Sequence, residues 1–312
     1  MLHPLSQMQL RRQLAISLKE KVRETDFWVN CAFFVILGFV FSNLTLWLVS
    51  SAQEQSRLLN ALLVLAMATV MLVRFGGVEI KEPLSLNPSA RRALVASFAL
   101  LAVQFGAAHF APEKWKGLTS LLIIPAYCCG LAALVRFVFG EGTRRLTRTA
   151  AGALCAFLLV SIFMQPLDWP LRGLAGQWSA YALDLIGKSA ELGLVGQDGS
   201  PPKLILFVNQ QPFHVASECN GFGVILTSLL LALLLALYHR LGIFDTALNL
   251  FAGLAIGFFF NIVRIVIIVL LAPALMEHYM LMHEIVGGMS YWACIMLLWV
   301  ALRGPTREVK NS

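Results

Sequence analysis

The sequence predicts an all-α membrane protein, a bundle of about eight transmembrane helices with both termini in the cytoplasm. Of its 312 residues, 58% are hydrophobic and only 13% are charged, which is more apolar surface than one soluble core can bury. Apolar runs long enough to cross about 30 Å of hydrocarbon recur along the whole chain. Lysine and arginine are concentrated in alternate loops, as in proteins oriented across a membrane.

Eight apolar runs are bounded by charged segments or by segments that contain Pro or Gly, and each is a candidate transmembrane helix. The second and fifth runs are short, so we expect that either could be tilted or only partly embedded. The runs are Phe27–Ser50, Leu58–Val73, Ala93–Phe110, Leu118–Phe139, Thr149–Gln165, Gly221–Tyr238, Thr246–Leu271 and Glu284–Leu302.

The basic residues predict the orientation, because Lys and Arg are retained on the cytoplasmic side. They stand in short clusters between apolar runs, so the net charge of +7 indicates topology and a lipid bilayer, and no nucleic-acid partner is expected. Their distribution fits an even number of spans across the cell (inner) membrane, with both termini on the cytoplasmic side. The residues on the inner side are the N-terminal cluster, Arg74, Lys81, Arg91, Arg92, Arg136, Arg144, Arg145, Arg148, Arg240, Arg303, Arg307 and Lys310.

The longest segment between spans, Pro166–Asn220, is therefore predicted to lie outside, facing the exterior or periplasm. Its first half, Trp169–Leu194, repeats apolar residues at helical spacing, which predicts an amphipathic helix at the membrane interface. Its second half predicts a short β-like hairpin, with Leu204–Val208 and Phe213–Val215 as strands around a polar turn. The hairpin leads the chain directly to Cys219.

Cys219 stands just before an apolar helix, where unpaired backbone N–H groups and the helix dipole favour a thiolate. The neighbouring Glu218 acts in the opposite direction, and an unreactive cysteine at a helix start is the alternative. No cysteine spacing resembles a zinc site or a disulfide framework, so neither a metal nor a cofactor is expected. The other five cysteines lie inside apolar runs, where a thiol acts as a small hydrophobe: Cys31, Cys128, Cys129, Cys155 and Cys294.

Arg264 lies inside an apolar run, about 9 Å from the outer end of its predicted helix at 1.5 Å per residue. An arginine at that depth is costly without a partner or a wet cavity, so a functional role is the first hypothesis. Asn261, three residues earlier, shares its helix face and could hydrogen-bond in the same cavity. The alternative is an arginine that extends to the outer interface.

His283 is predicted at the outer start of the last span, on the same side as Cys219. An imidazole commonly takes the proton from a cysteine nucleophile and returns it to a leaving amine. Gly287, one turn later, would allow another backbone or a substrate to approach closely. A histidine that only marks the interface is the alternative, and His278 and His214 are substitutes on the same side.

The three residues converge on the outer ends of three consecutive predicted spans, as an active site requires. Cys219 would attack a carbonyl carbon, and His283 would move protons. Arg264, which is always protonated, would bind the developing oxyanion or hold a carboxylate.

At these residues the chain resembles the exosortase/archaeosortase family. The family pattern is Cys-x-Gly at a helix start, Asn-x-x-Arg late in the next helix and His at the opening of the last. The matching residues are Cys219, Asn220 and Gly221, then Asn261 and Arg264, then His283. The resemblance covers roughly Pro166 to Arg303. It divides the chain into N-terminal membrane helices of unassigned role, 1–165, and an external loop with a catalytic core, 166–312.

The resemblance implies a membrane-embedded cysteine protease or transpeptidase. Its substrates would be exported proteins that end in a short motif, a transmembrane helix and a basic cluster. Whether water or an amine resolves the acyl-enzyme stays open, as does the identity of the acceptor. A non-catalytic scaffold in envelope or exopolysaccharide assembly is the second hypothesis. A transporter ranks third, because the candidate residues cluster at one depth on one side.

Overall fold

The computed structural model describes most of the chain as α-helix with one small β-sheet. Contacts divide the chain into two compact units, Met1–Leu159 and Val160–Ser312. Both chain ends, which were predicted to be cytoplasmic, lie outside the described residues. The described residues are 7–54, 56–76, 82–110, 112–196, 203–214 and 222–302.

The described residues of the first unit are mostly helical, and apolar side chains of several of its helices form a buried cluster. In that cluster Leu37 and Phe41 pack against side chains of two later helices, Pro88–Phe110 (α5) and Ile123–Phe139 (α7). The hydroxyl of Ser97 also donates a hydrogen bond of 2.8 Å to the carbonyl oxygen of Ala126, which joins α5 to α7. The helices are α1 (Gln7–Lys21), α2 (Thr25–Val40), α3 (Ser42–Glu54), α4 (Ser56–Gly76), α5 (Pro88–Phe110), α6 (Glu113–Ser120), α7 (Ile123–Phe139) and α8 (Arg144–Phe163).

In its described residues each of the eight predicted apolar runs is mainly helical, but fewer helices have the length and composition of a membrane span. Among the described residues five helices meet that condition, or six if the bent pair α2 and α3 is one span. The first run is therefore not one straight helix, because the chain bends by 54° between Val40 and Ser42. Two further helical segments, Leu59–Val73 and Gly223–His239, are apolar but shorter.

The fifth predicted run, Thr149–Gln165, falls mostly within a longer helical segment that starts before it. Its span is 23 residues, Glu141–Phe163, because the basic turn that precedes the apolar residues is helical as well. A helix continues through charged residues at its end, since the hydrophobic pattern marks only the part that contacts lipid or protein.

Among its described residues the second unit combines four α-helices with a three-stranded antiparallel sheet, in which Ala190–Val195 (β1), Lys203–Val208 (β2) and Gln211–His214 (β3) are neighbours in that order. β2 and β3 pair through Val208 and Gln211 across a two-residue turn. Asn209 and Gln210 in this turn both have positive φ, 49° and 67°, as the hairpin turn that suits the strand twist requires. The elements are α9 (Asp168–Leu185), β1 (Ala190–Val195), β2 (Lys203–Val208), β3 (Gln211–His214), α10 (Phe222–His239), α11 (Ile243–Leu271) and α12 (Tyr279–Leu302).

The predicted helix Trp169–Leu194 is wrong in its last third, because α9 ends at Leu185 and β1 follows. Gly187, at φ 80°, ends the helix in the left-handed conformation that glycine tolerates best. Its N–H bonds to Asp184 O at 2.9 Å, and the N–H of Lys188 bonds to Leu183 O at 3.0 Å. This pair of bonds is the Schellman motif, which turns the chain out of the helix.

The inner face of the sheet packs on α9 and on the C-terminal half of α11. Alternate residues of β2 are buried there, as expected when side chains of a strand point to opposite faces. The sheet is thereby fixed beside the part of α11 that carries Arg264. The buried cluster comprises Ala175, Ala180, Leu183, Ala190, Leu204, Leu206, Val208, Ile265 and Val269.

Candidate functional site

The guanidinium of Arg264 lies directly over Gly287 of α12. A methyl group at position 287 would come within 2.8 Å of Arg264 Nη2 and 3.1 Å of its Cζ, so the missing side chain is what makes room. Arg264 is half-buried, seven residues before the end of α11 at Leu271, or about 10 Å along the axis. The group that approaches Gly287 is thus a side chain, whereas the sequence predicted another backbone or a substrate.

His283 lies in the second turn of α12, because the helix begins at Tyr279 and not at the predicted Glu284. Its side chain is half-buried, and its ring centroid is 6.1 Å from that of Tyr279. His283 and Gly287 are four residues apart on one face of α12. The Arg264 guanidinium therefore lies against one turn of α12, and His283 extends from the neighbouring turn on the same face.

Strand β3 ends beside this part of α11 and α12. The ring of Phe213 packs both against the buried cluster of the sheet and against a second cluster, formed by Ile268, Ala272 and Met282. Val286, which is three residues from His283, packs against the second cluster too. This role of Phe213 could not be predicted from the sequence, because an alternating strand pattern assigns a face to a side chain but no neighbour.

The segment that contains the predicted nucleophile is bracketed by described residues. Cys219, Glu218, Asn220 and Gly221 belong to residues 215–221, which lie outside the described part of the chain, as does the side chain of His214. On either side, β3 ends at His214 and α10 begins at Phe222. The other substitute, His278, is exposed in a short turn, Met276–His278, just before α12.

Helix α10 runs antiparallel to α11 at very close range. A methyl group on Gly257 would lie 2.9 Å from Ser228 Oγ and 3.2 Å from the Cα of Ile225, and one on Gly253 would meet Ser228 O at 3.1 Å. Earlier residues of α10 thus lie beside later residues of α11. The first turn of α10 consequently rises towards the level of Asn261, one turn beyond Gly257.

Asn261 is fully buried, with 0% of its surface exposed, and its amide has no hydrogen-bond partner among the described residues. Both Nδ2 and Oδ1 are in this state. A buried polar group without a partner costs about 1–3 kcal/mol, so such groups are rare unless function retains them. Asn261 is three residues from Arg264, and it therefore adds an available donor and acceptor to the same region of α11.

Comparison with known families matches residues 77–300 to the model described as transmembrane exosortase. The match begins near the end of α4 and so includes α5, α7 and α8, which the resemblance based on Pro166–Arg303 left out. Comparison with curated proteins and with solved structures gives no match. Because the family model covers well over half of the 312 residues, this multi-pass membrane protein belongs to the transmembrane exosortase family.

Proposed function

We propose that this protein is a cysteine protease or transpeptidase that processes the C-terminal sorting signal of exported proteins at the outer face of the cell membrane. In this proposal Cys219 is the nucleophile, His283 transfers protons, and Arg264 stabilises the oxyanion. The observation that carries the proposal is the position of the Arg264 guanidinium, over Gly287 and one helical turn from His283.

The chain on both sides of Cys219 leads to this same place. Cys219 is five residues after the end of β3 and three residues before the start of α10. At about 3.5 Å per residue, the thiol-bearing residue lies within roughly 11 Å of the Phe222 backbone. Since the first turn of α10 rises towards Asn261, that range supports a thiol close to the arginine and the histidine.

The proposed reaction begins when His283 accepts the thiol proton of Cys219. The sulfur then attacks the carbonyl carbon of the scissile peptide bond, and the carbonyl oxygen becomes an oxyanion beside the Arg264 guanidinium. Collapse of this intermediate breaks the C–N bond, and the leaving amine takes the proton from His283. The product is a thioester, which water or an acceptor amine resolves with return of the proton to the sulfur.

Asn261 supports the reacting groups in this proposal. Its buried amide can donate through Nδ2 and accept through Oδ1. We assign these bonds to the peptide groups that occupy the site during the reaction. We also propose that Asn220, Gly221 and Glu218 shape the start of the helix around the thiol. Those peptide groups would then satisfy the Asn261 amide in the loaded site, which would explain why the amide is retained.

The test is the variant Cys219→Ala, expressed with a tagged exported protein from the same cell that ends in a short motif, an apolar helix and a basic cluster. Without the thiol no acyl-enzyme can form, so the substrate should accumulate at its full length. Processing is measured as the shift of the tagged protein on a gel of the membrane fraction.

The matched control is Cys31→Ala, because Cys31 is a cysteine of α2 without a role in the proposed reaction. It should process substrate at the wild-type rate, and both variants should reach the membrane in equal amounts. Normal processing by a well-folded Cys219→Ala protein would exclude the enzymatic function and favour the scaffold.

A further inference from the structure

A second site is built around Arg136, at one end of the first unit. Arg136 lies in the last turn of α7 and is buried, with 8% of its surface exposed. Its Nε donates a 2.8 Å hydrogen bond to Thr147 Oγ1 of α8, and its Nη1 donates a 3.1 Å bond to the carbonyl oxygen of Ser89 in α5. The guanidinium is therefore held between the first turns of two helices.

The surrounding helix ends are joined by further hydrogen bonds. Asn87 caps α5 with its Oδ1, which accepts bonds from the Ala90 N–H at 2.8 Å and the Ser89 hydroxyl at 2.9 Å. The Nδ2 of Asn87 donates to the carbonyl oxygen of Arg136 at 3.3 Å. Gly140, at φ 81°, then takes the chain from α7 towards α8. The position of the cation is thus fixed before any ligand arrives.

Among the described residues at this end, basic side chains outnumber carboxylates. Arg144 and Arg148, both exposed, lie close enough to Arg136 for electrostatic repulsion. Glu141 is the nearby carboxylate, and it pairs with Arg144 at 3.7 Å. Within the described part of the chain no carboxylate lies at ion-pair distance from Arg136. Because a buried charge is costly unless it is paired, this arrangement favours a bound anion.

The guanidinium groups and the nearby helix start of this site favour phosphate among anions. Planar guanidinium groups match the oxygen geometry of phosphate, and the positive end of the α8 dipole adds to the attraction. The site also lies where three long apolar helical segments end, Pro88–Phe110, Trp115–Phe139 and Glu141–Phe163, which is the depth of lipid headgroups. We propose that Arg136, Arg144 and Arg148 bind the phosphate of an anionic phospholipid. The same chemistry would accept free phosphate, and the experiment separates the two sources.

The experiment measures binding of phosphatidylglycerol and of phosphatidylcholine to the purified full-length protein in neutral detergent, by native mass spectrometry. The test variant is Arg144→Gln/Arg148→Gln, and it leaves the structural bonds of Arg136 in place. Each arginine near a headgroup contributes about fivefold in affinity, so the double variant should bind phosphatidylglycerol roughly thirtyfold more weakly. Should it fail to fold, Arg148→Gln alone should still lose about fivefold.

The control Lys114→Gln/Lys116→Gln removes the same charge from α6, at the other end of α7 from Arg136. It should keep its affinity for phosphatidylglycerol. Inorganic phosphate at millimolar concentration is then added as a competitor. If it displaces the lipid, the site also binds free phosphate, and if it does not, the site binds the lipid alone. Equal losses of phosphatidylglycerol affinity in both double variants would overturn the proposal, as would a wild-type protein with no preference for the anionic lipid.

Discussion

The contact of Arg264 with Gly287 shows how one absent side chain can position a charge. Arginine is expensive inside an apolar helix, and the rest of α11 near it offers only Asn261 as a polar neighbour. Because Gly287 has no Cβ, the guanidinium has a fixed place against α12. If Arg264 stabilises an oxyanion, activity should depend on that place as much as on the charge itself.

Gly287→Ala should therefore lower activity while the protein stays folded. The added methyl would lie 2.8 Å from Nη2, which is the far end of a flexible side chain, so the guanidinium can move aside at little cost to stability. Displacement of a catalytic group by about 1 Å can cost up to about a hundredfold in rate, and we expect a loss between tenfold and that value. Substrate processing in membranes provides the measurement.

Gly288→Ala is the matched control, because nothing lies within 4 Å of a methyl group at that position. It should retain activity within about twofold of wild type. Similar losses of activity in the two alanine variants would show that α12 is sensitive to substitution in general. They would contradict a special role for the position of the Arg264 guanidinium against Gly287.

At the scale of elements, the close approach of α10 and α11 decides where the candidate site lies. Gly253 and Gly257 form a small-xxx-small pattern, which allows helix backbones in membranes to come near each other. Ser228 Oγ, which faces Gly257, also lies 3.4 Å from the sulfur of Cys294, a contact between α10 and α12. The three helices thus share one seam beneath Arg264.

Gly257→Ala should destabilise the protein, although alanine is the better helix former. The methyl would lie 3.2 Å from the Cα of Ile225, so the helices would have to separate, and overpacking of this kind costs about 1–3 kcal/mol. The control Gly106→Ala in α5 meets nothing within 4 Å and should be neutral or gain up to about 1 kcal/mol from helix propensity. Thermal unfolding in detergent compares them, and equal melting temperatures would contradict the close packing.

The helices of this protein can be predicted from sequence better than its strands. Hydropathy locates every apolar run, because burial in lipid is a property of each segment alone. β1 is different, since Ala190–Val195 becomes a strand by pairing with β2, which is a separate segment of the chain. The bend at Phe41 and the charged helical turn that extends the fifth run leave no mark in hydropathy, so the number of spans could not be read from composition.

The candidate site shows the same division between local and non-local information. A lone charge in an apolar run pointed to Arg264, and helical spacing placed Asn261 on its face. No local pattern showed that Gly287 faces Arg264, that Phe213 ends β3 beside α12, or that the Asn261 amide lacks a partner among the described residues. These facts arise from packing between elements, which a single sequence does not encode position by position.

For the whole molecule, the proposed function requires that the two ends of α11 lie on opposite sides of the membrane. Asp245, in the first turn, is exposed, and Arg264 is 19 residues later on the same helix. That separation is about 28 Å, close to the thickness of the hydrocarbon core. The charge distribution predicts that Asp245 faces the cytoplasm and that Cys219 faces the exterior.

Labelling with a membrane-impermeant maleimide tests this orientation. In a variant whose other five cysteines are replaced by alanine, Cys219 should react in intact cells, because the proposed nucleophile must meet exported substrates outside. A matched variant that also has Cys219→Ala, with Asp245→Cys as its single thiol, should react only after the cells are permeabilised. The reverse pattern, with position 245 labelled in intact cells and Cys219 protected until lysis, would invert the topology and place the reaction on the cytoplasmic side.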